Sequence, residues 1–257
     1  MMQALRDIVL EAGKIVLSAR DQEKAVSEKT GPRDLVTKYD LLVQNYLKRE
    51  LLRLLPEAGF LGEEGDQTED PAGKEWLFII DPIDGTTNFI QGYPNSCVSV
   101  GLARNGQMEY GLVCNPFAGE LYTAKRGEGA FLNGKPIRCQ DHSLERSLLI
   151  FGTALYYREL VPQTLNLFQK AFPAVQDVRR FGSAALDLCY LAAGRAGVFF
   201  ECRLCPWDYA AGSLIAREAG CIVTQIDGTD LDLLQKSSVL AGSPKAWNEL
   251  FELFRDE

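Results

Sequence analysis

Apolar residues at Leu5, Ile8, Val9, Ala12, Ile15, Val16 and Ala19 recur at helical spacing and predict an N-terminal amphipathic helix. Gly31-Pro32 interrupts the chain. Asp34 is placed to cap a second helix that runs to about Leu55, with Val43, Tyr46, Leu47, Leu51 and Leu54 on its buried stripe and Pro56 ending it. Asp40 shares the inward face of that helix, and a carboxylate aimed at a core needs a partner or a metal. Short apolar runs predict strands over 59–62 and 76–80, the second uninterrupted as in a strand covered on both faces. Pro82 cannot donate to a sheet ladder, so pairing is expected to stop there. Strands over 97–103, 107–114, 120–124 and 130–132, separated by Asn-Gly and Pro/Gly turns, predict an antiparallel meander.

After about residue 145 the pattern alternates. Strands are predicted over 148–151, 174–179, 197–200, 221–225 and 238–241, and helices over 159–171, 184–193 and 208–219, with a last helix from Pro244. Glu201 then ends the third of these strands. A helix pair, an antiparallel block and an alternating half describe a layered α/β or α+β enzyme.

Composition narrows the chemistry. The chain has 257 residues, 46% hydrophobic and 24% charged, an ordinary globular mix. A net charge of −8 argues against nucleic-acid phosphate as a direct partner. It leaves phosphorylated small molecules open where bound cations invert the local field. The single histidine, His142, lies in a polar stretch and makes a Ser-His-Asp triad unattractive. Seven cysteines without a signal peptide read as reduced core thiols of a cytoplasmic protein, and Cys202-Arg203-Leu204-Cys205 lacks the second pair a structural zinc site would want. No apolar run is long enough for a membrane span.

The densest signal is Asp81-Pro82-Ile83-Asp84-Gly85-Thr86-Thr87-Asn88-Phe89. A buried strand delivers Asp81, and Asp84 follows closely enough to share a hard cation. Gly85 permits close approach, and Thr86 and Thr87 open a helix whose free N–H groups favour an anion. Glu63 follows a strand end, whereas Glu64 is expected in a solvated acidic loop. Asp208 opens a helix and points inward with Ala211 and Ile215. Carboxylates without histidine suit Mg²⁺ or Mn²⁺ rather than zinc.

Asp34-Leu35-Val36-Thr37 with its trailing Asp40, Gly62-Glu63-Glu64, the run from Asp81 to Phe89, Arg180-Phe181-Gly182-Ser183-Ala184-Ala185-Leu186-Asp187, and Pro206-Trp207-Asp208-Tyr209-Ala210-Ala211-Gly212 occur in this order. Together they resemble the inositol monophosphatase family of lithium-sensitive, Mg²⁺-dependent phosphomonoesterases. The resemblance implies the layered α/β (α+β) sandwich of the inositol monophosphatase/fructose-1,6-bisphosphatase fold. It implies one phosphatase unit over 1–257, divisible into an N-terminal α+β half, 1–143, with the metal motif and a C-terminal α/β half, 144–257, with the substrate loop.

It further implies two or three Mg²⁺ per site, with Mn²⁺ as a substitute, held by Glu63, Asp81, the Ile83 carbonyl, Asp84, Thr86 and Asp208. Asp40, Thr86 and Glu63 would act in catalysis, Asp40 paired with Thr86 to help deprotonate water, with no phosphoenzyme. Gly85, Thr86 and Thr87 would hold phosphate, and Asp84, Gly182, Ser183, Ala184 and Glu201 the alcohol. Family members are commonly homodimers.

Thr87-Asn88-Phe89 stands where the nucleotide branch shows Lys-Glu, and Leu186-Asp187 where that branch tends to Leu-Lys. Both favour inositol 1-phosphate or a similar polyol phosphate over fructose 1,6-bisphosphate, nucleotide, NADP or histidinol phosphate. Arg203 either reaches a second phosphate or faces solvent. Some bacterial members resembling this chain in Gly-Ser-Ala-Ala-Leu-Asp also bind the transcription machinery, which implies a partner-binding alternative with residual phosphatase activity.

Overall fold

The computed structural model describes residues 1–257 other than 21, 32–33, 66–72, 155 and 256–257, and other than the side chains of Thr30 and Asp34. Helix α1 (Met2–Ser18) buries Leu5, Val9, Ala12 and Val16, the stripe its sequence spacing predicts. A small antiparallel hairpin follows, β1 (Ser27–Gly31) and β2 (Asp34–Val36), which local patterning did not reveal. Asp34 thus lies in a strand, not at a helix cap. Helix α2 (Lys38–Leu54) starts at Thr37, whose hydroxyl accepts from the Tyr39 N–H while Asp40 accepts from the Thr37 N–H. This reciprocal box satisfies two otherwise free N–H groups, so the helix begins where the box closes rather than at the first acidic residue.

The first large sheet is built from β3 (Gly59–Gly62), β4 (Trp76–Asp84), and, beyond the short helix α3 (Thr86–Gln91), β5 (Cys97–Arg104), β6 (Gln107–Asn115), β7 (Glu120–Lys125), β8 (Ala130–Leu132) and β9 (Lys135–Ile137). Its seven strands lie in sequence order, with β3 parallel to β4 and every other neighbour antiparallel. The expected meander is present and one strand longer. Pairing does not stop at Pro82: the register shifts between Asp81, opposite Ser99, and Asp84, opposite Cys97. A bulge carries the proline through the one place where its missing N–H is not needed.

The second half contains β10 (Leu148–Phe151), α4 (Val161–Ala171), β11 (Asp177–Arg179), α5 (Ala184–Ala192), β12 (Val198–Leu204), α6 (Pro206–Glu218), β13 (Ile222–Thr224), β14 (Ser237–Gly242) and α7 (Pro244–Arg255). Its five-stranded sheet has the order β11-β10-β12-β14-β13. A 3-10 turn over Phe172–Ala174 shortens β11 from the predicted 174–179. Glu201 does not end β12, because a register shift between Glu201 and Leu204 lets the strand continue.

Alternation along the strands stacks these elements into five layers. On β4, Phe78 and Ile80 face α1 and α2, whereas Leu77 and Ile79 face α5 and α6. On β12, Phe199 packs on the other side of α5 and α6, and Val198 and Phe200 face α4 and α7. Helices α5 and α6 are thus covered on two faces, which explains their small, almost wholly apolar composition. No described helix is long and apolar enough to cross a membrane.

Helix α6 meets the large sheet closely at a glycine. A Cβ on Gly111 would stand 2.7 Å from the Ala211 carbonyl oxygen, backbone against backbone. Gly111→Ala is therefore expected to cost about 1–3 kcal/mol of stability through overpacking, seen as a fall in Tm of roughly 3–10 °C. An unchanged Tm would show that α6 is not seated by this contact.

Candidate active site

Two elements bring three aspartates together. Strand β4 supplies Asp81 before its bulge and Asp84 after it, and the bulge turns the Ile83 N–H onto Asp81 Oδ1 at 3.0 Å. Helix α6 supplies Asp208 from its third position, where Asp208 Oδ2 accepts the Cys205 N–H at 2.7 Å. Each of Asp81, Asp84 and Asp208 places an oxygen within 4.8 Å of the others. Asp81 and Asp84 are buried and Asp208 half-buried, and none of the three pairs with Lys or Arg among the described residues. Burial, then the charges of Glu63, Asp84 and Asp208, push Asp81 well above the usual carboxylate range. Burial, Asp84 and Glu63 do the same to Asp208, against the opposing Cys205 N–H.

Asp84 is tied to the other half of the chain. Its Oδ2 accepts from the Ser183 hydroxyl at 2.6 Å and from the Ala185 N–H at 2.8 Å, at the start of α5. Burial raises it to about 6, these donors limiting the rise. Ser183 is buried and its hydroxyl is committed to Asp84, so among Gly182, Ser183 and Ala184 only the backbone remains to face an alcohol.

Glu63 lies just past β3 within hydrogen-bonding reach of Asp81. Lys29, from the β1–β2 hairpin, bridges Glu63 at 2.9 Å and Glu64 at 2.5 Å. Burial alone would depress Lys29, but the two glutamates outweigh it and raise it. Glu64 is not in a solvated loop. It is buried, its backbone N–H donates to Gln44 Oε1 at 2.9 Å, and its carbonyl accepts from Gln44 Nε2. Burial, then Glu63, raises Glu64 to about 7 despite Lys29. The sequence signal for this clamp was a polar Gln44 on the buried stripe, one helical turn after Asp40.

Asp40 is fully buried and accepts from the Thr37 N–H at 2.8 Å and the Thr37 hydroxyl at 2.5 Å. Its other oxygen lies 3.3 Å from the Thr86 hydroxyl, which is also 3.0 Å from the Ile83 carbonyl. Burial raises Asp40 to about 6. Gly85 precedes α3 with φ +88°, and a Cβ there would stand 3.0 Å from the Asn95 carbonyl and 3.1 Å from the Gly182 carbonyl. Asn88 fixes the same crossing by donating to the Asn95 and Phe181 carbonyls, both at 2.7 Å. Thr86 is half-buried and Thr87 exposed at the open end of α3.

Glu201, within electrostatic reach of Asp84 and Asp208, accepts the Ala154 N–H at 3.0 Å. Burial raises it to about 7, limited by that bond and by Arg180. Asp187, on α5, is buried with Oδ1 unpartnered, and burial with Asp84 and Glu201 holds it well above the usual range. Sequence reasoning assigned no site role to Lys29, Gln44 or Asp187, whose neighbours are distant in the chain.

The donor set fits a hard divalent cation. All its atoms are oxygens, the charges are mutually repelling and buried, and described side chains supply no compensating cation to the central three. The protonation equilibria make this testable. Without cation, Asp40 and Asp84 titrate near 6 and Glu64 and Glu201 near 7, so the folded protein keeps protons that the unfolded chain releases near pH ~4. In chelator, stability is therefore expected to fall as pH rises from about 4 to about 7. Mg²⁺ competes with those protons, so the Tm gained on adding it should grow over the same interval. Thermal scans at several pH values check this; a chelated Tm that rises with pH overturns it.

The family model for the inositol monophosphatase family matches residues 1–256. "Nus factor SuhB" of Vibrio cholerae is 37% identical over 261 residues, covering 99% of this chain and 97% of that protein. "Inositol-1-monophosphatase" of Rhizobium meliloti is 38% identical over 260 residues, covering 99% and 96%. The crystal structure of extragenic suppressor protein SuhB from Bartonella henselae superposes with a TM-score of 0.93 at 34% identity, covering 99% of this chain and 98% of that one. An IMPase of Thermotoga maritima gives 0.86 at 30% identity, covering 97% and 94%. Layer order, carboxylate cluster and whole-chain similarity agree, and the chain belongs to the inositol monophosphatase family.

Proposed function

We propose that this chain is a cytoplasmic, Mg²⁺-dependent phosphomonoesterase, one catalytic unit over residues 1–257, acting on a small polyol phosphate with inositol 1-phosphate foremost. The observation that carries it is the trio Asp81, Asp84 and Asp208, two buried and one half-buried, without basic partners among the described residues, beside the free N–H groups at the start of α3. Glu63, Asp81, Asp84, Asp208, the Ile83 carbonyl and the Thr86 hydroxyl would hold two or three Mg²⁺, or Mn²⁺ in their place. Bound there, the cations supply Lewis acidity and lower the pKa of water.

The chain's own groups do the rest. Asp40, anchored by Thr37, accepts a proton through the Thr86 hydroxyl. The backbone N–H groups of Gly85, Thr86 and Thr87 orient phosphate, with donors fixed before substrate arrives. Glu201 and the backbone of 182–184 hold the alcohol. Li⁺ inhibition and a homodimer belong to the same reading, the latter open to light scattering.

A second reading is favoured by the relatives named Nus factor SuhB: a protein whose main role is to bind a transcription partner, with residual phosphatase activity. Recovery of transcription proteins from a source lysate, together with weak hydrolysis of every phosphate tried, would select it.

The phosphatase reading is tested by phosphate release with Mg²⁺ from inositol 1-phosphate, fructose 1,6-bisphosphate, 3′-phosphoadenosine 5′-phosphate, NADP and histidinol phosphate. On the best substrate, Asp81→Asn is expected to lower kcat about a hundredfold or more and to raise the Mg²⁺ requirement. Thr86→Ala should also slow turnover. Glu201→Gln should act on KM and substrate preference instead, because a carboxylate receiving a substrate hydroxyl contributes chiefly to binding. An equal shift in Mg²⁺ requirement for Glu201→Gln and Asp81→Asn would sink the division into metal side and alcohol side.

A further inference from the structure

Of the seven thiols in the chain, two meet across a wide stretch of sequence. Cys139 follows β9, in the segment that leads from the large sheet to the five-stranded one, and Cys221 stands between α6 and β13. Helix α6 closes at Gly220, φ +96°, with the Gly220 N–H on the Arg217 carbonyl and the Cys221 N–H on the Ala216 carbonyl, both at 2.9 Å. The Ala219 carbonyl is beyond the reach of the helix's own N–H groups, and it accepts the Cys139 N–H at 3.0 Å. A Cβ on Gly220 would stand 3.5 Å from Cys139 Sγ, so this sulfur lies against the residue next to Cys221. Cys139 packs on the buried cluster that contains Cys221, and the two thiols are within hydrogen-bonding reach of each other.

The pair differs from the other five thiols in access and in charge. Cys97 and Cys189 are fully enclosed, and burial pushes Cys97, Cys114, Cys189, Cys202 and Cys205 all above the ordinary thiol range. Cys139 is half-buried and moves the other way: the hydrogen bond with Cys221 lowers it, against burial and the charge of Asp141. The same bond, with burial, raises Cys221, which keeps its proton. The thiolate is the form that attacks an oxidant. The pair therefore sets one reactive sulfur near the surface and a second sulfur beneath it, the arrangement of an attacking and a resolving cysteine.

We propose that Cys139 and Cys221 form a reversible disulfide, closed by a peroxide and reopened by a dithiol, that ties the end of α6 to the segment joining the two large sheets. The Cys139 thiolate attacks one peroxide oxygen and breaks the O–O bond. Cys139 becomes a sulfenic acid, and the leaving hydroxide takes up the proton that Cys139 gave up, as water. The Cys221 sulfur then attacks the Cys139 sulfur: the S–S bond forms, the S–O bond breaks, and the hydroxide leaves with the Cys221 proton as a second water. Two thiols lose two electrons and two protons to one peroxide. The bond closes a loop that runs from β10 through α6, so it restricts the unfolded chain far more than the folded one. Cys221 lies at the opposite end of α6 from Asp208, and the clamp stands independently of the phosphatase reading.

The test treats the reduced full-length protein with a slight excess of hydrogen peroxide. Free thiols counted in denaturant should fall from seven to five, and the chain should lose the mass of two hydrogen atoms. Trypsin places the two sulfurs in separate peptides, 139–146 and 218–236, each with a single cysteine, and these should be recovered joined. The oxidised protein is expected to melt roughly 4–12 °C higher than the reduced one, and a dithiol should return it to the reduced value. Cys139→Ser and Cys221→Ala should each abolish the link and the gain in Tm. Cys139→Ser, at a half-buried position, should leave the reduced Tm within about 2 °C, which separates loss of the clamp from damage to the fold. A link between Cys97 and Cys189, sulfenic or sulfinic acid at Cys139 without the link, or a Tm that does not rise when the link forms overturns the clamp.

Discussion

Everything at this site depends on holding like charges close together without neutralising them with side chains. Asp81, Asp84 and Asp208 converge within 4.8 Å. What fixes each of them is a neutral backbone or hydroxyl donor: Ile83 N–H for Asp81, Ser183 and the Ala185 N–H for Asp84, and the Cys205 N–H for Asp208. Asp40 is held the same way by Thr37. A Lys or Arg in their place would also orient the carboxylates, but it would cancel the field that attracts a divalent cation. Neutral donors fix direction and leave the charge available.

This requirement dictates the architecture around it. Free N–H groups exist where helices begin and where strands break, so the carboxylates must lie at such ends. Asp40 and Asp208 both occupy the third position of a helix and close a capping box with the preceding loop. Asp81 and Asp84 flank a bulge in a strand otherwise paired along its length. The layered packing brings these ends to one place: α2 covers one face of the large sheet, α6 the other, and the start of α5 reaches Asp84.

Much of this was legible in the sequence because it is local. The uninterrupted apolar run of β4 marks a strand covered on both faces, and the inward aim of Asp40 and Asp208 follows from helical spacing with Val43, Leu47, Ala211 and Ile215. What was not legible depends on contacts across the chain. Lys29 meets Glu63 and Glu64 from thirty-four and thirty-five residues away, and Gln44 clamps Glu64 from twenty. No window of sequence distinguishes Glu64 from a solvated loop residue until that clamp is known. The two strands cut short by sequence reasoning failed for a related cause. A proline or a buried acid ends pairing only if the register is regular, and at Pro82 and after Glu201 it shifts instead.

An acidic protein that handles an anionic substrate is a contradiction only at long range. At physiological salt, fields decay over about 8 Å, so net charge says little about a group already inside the cleft. Inside, sign is set by position. Carboxylates gather at the centre, where their charge calls for cations, and the Thr86 hydroxyl at the start of α3 lies 3.3 Å from Asp40. Lys29 marks one boundary, engaged with Glu63 and Glu64 from the hairpin and raised by both. Lys29 therefore borders the carboxylate centre without sitting on its three aspartates. The centre keeps the negative charge that a divalent cation needs.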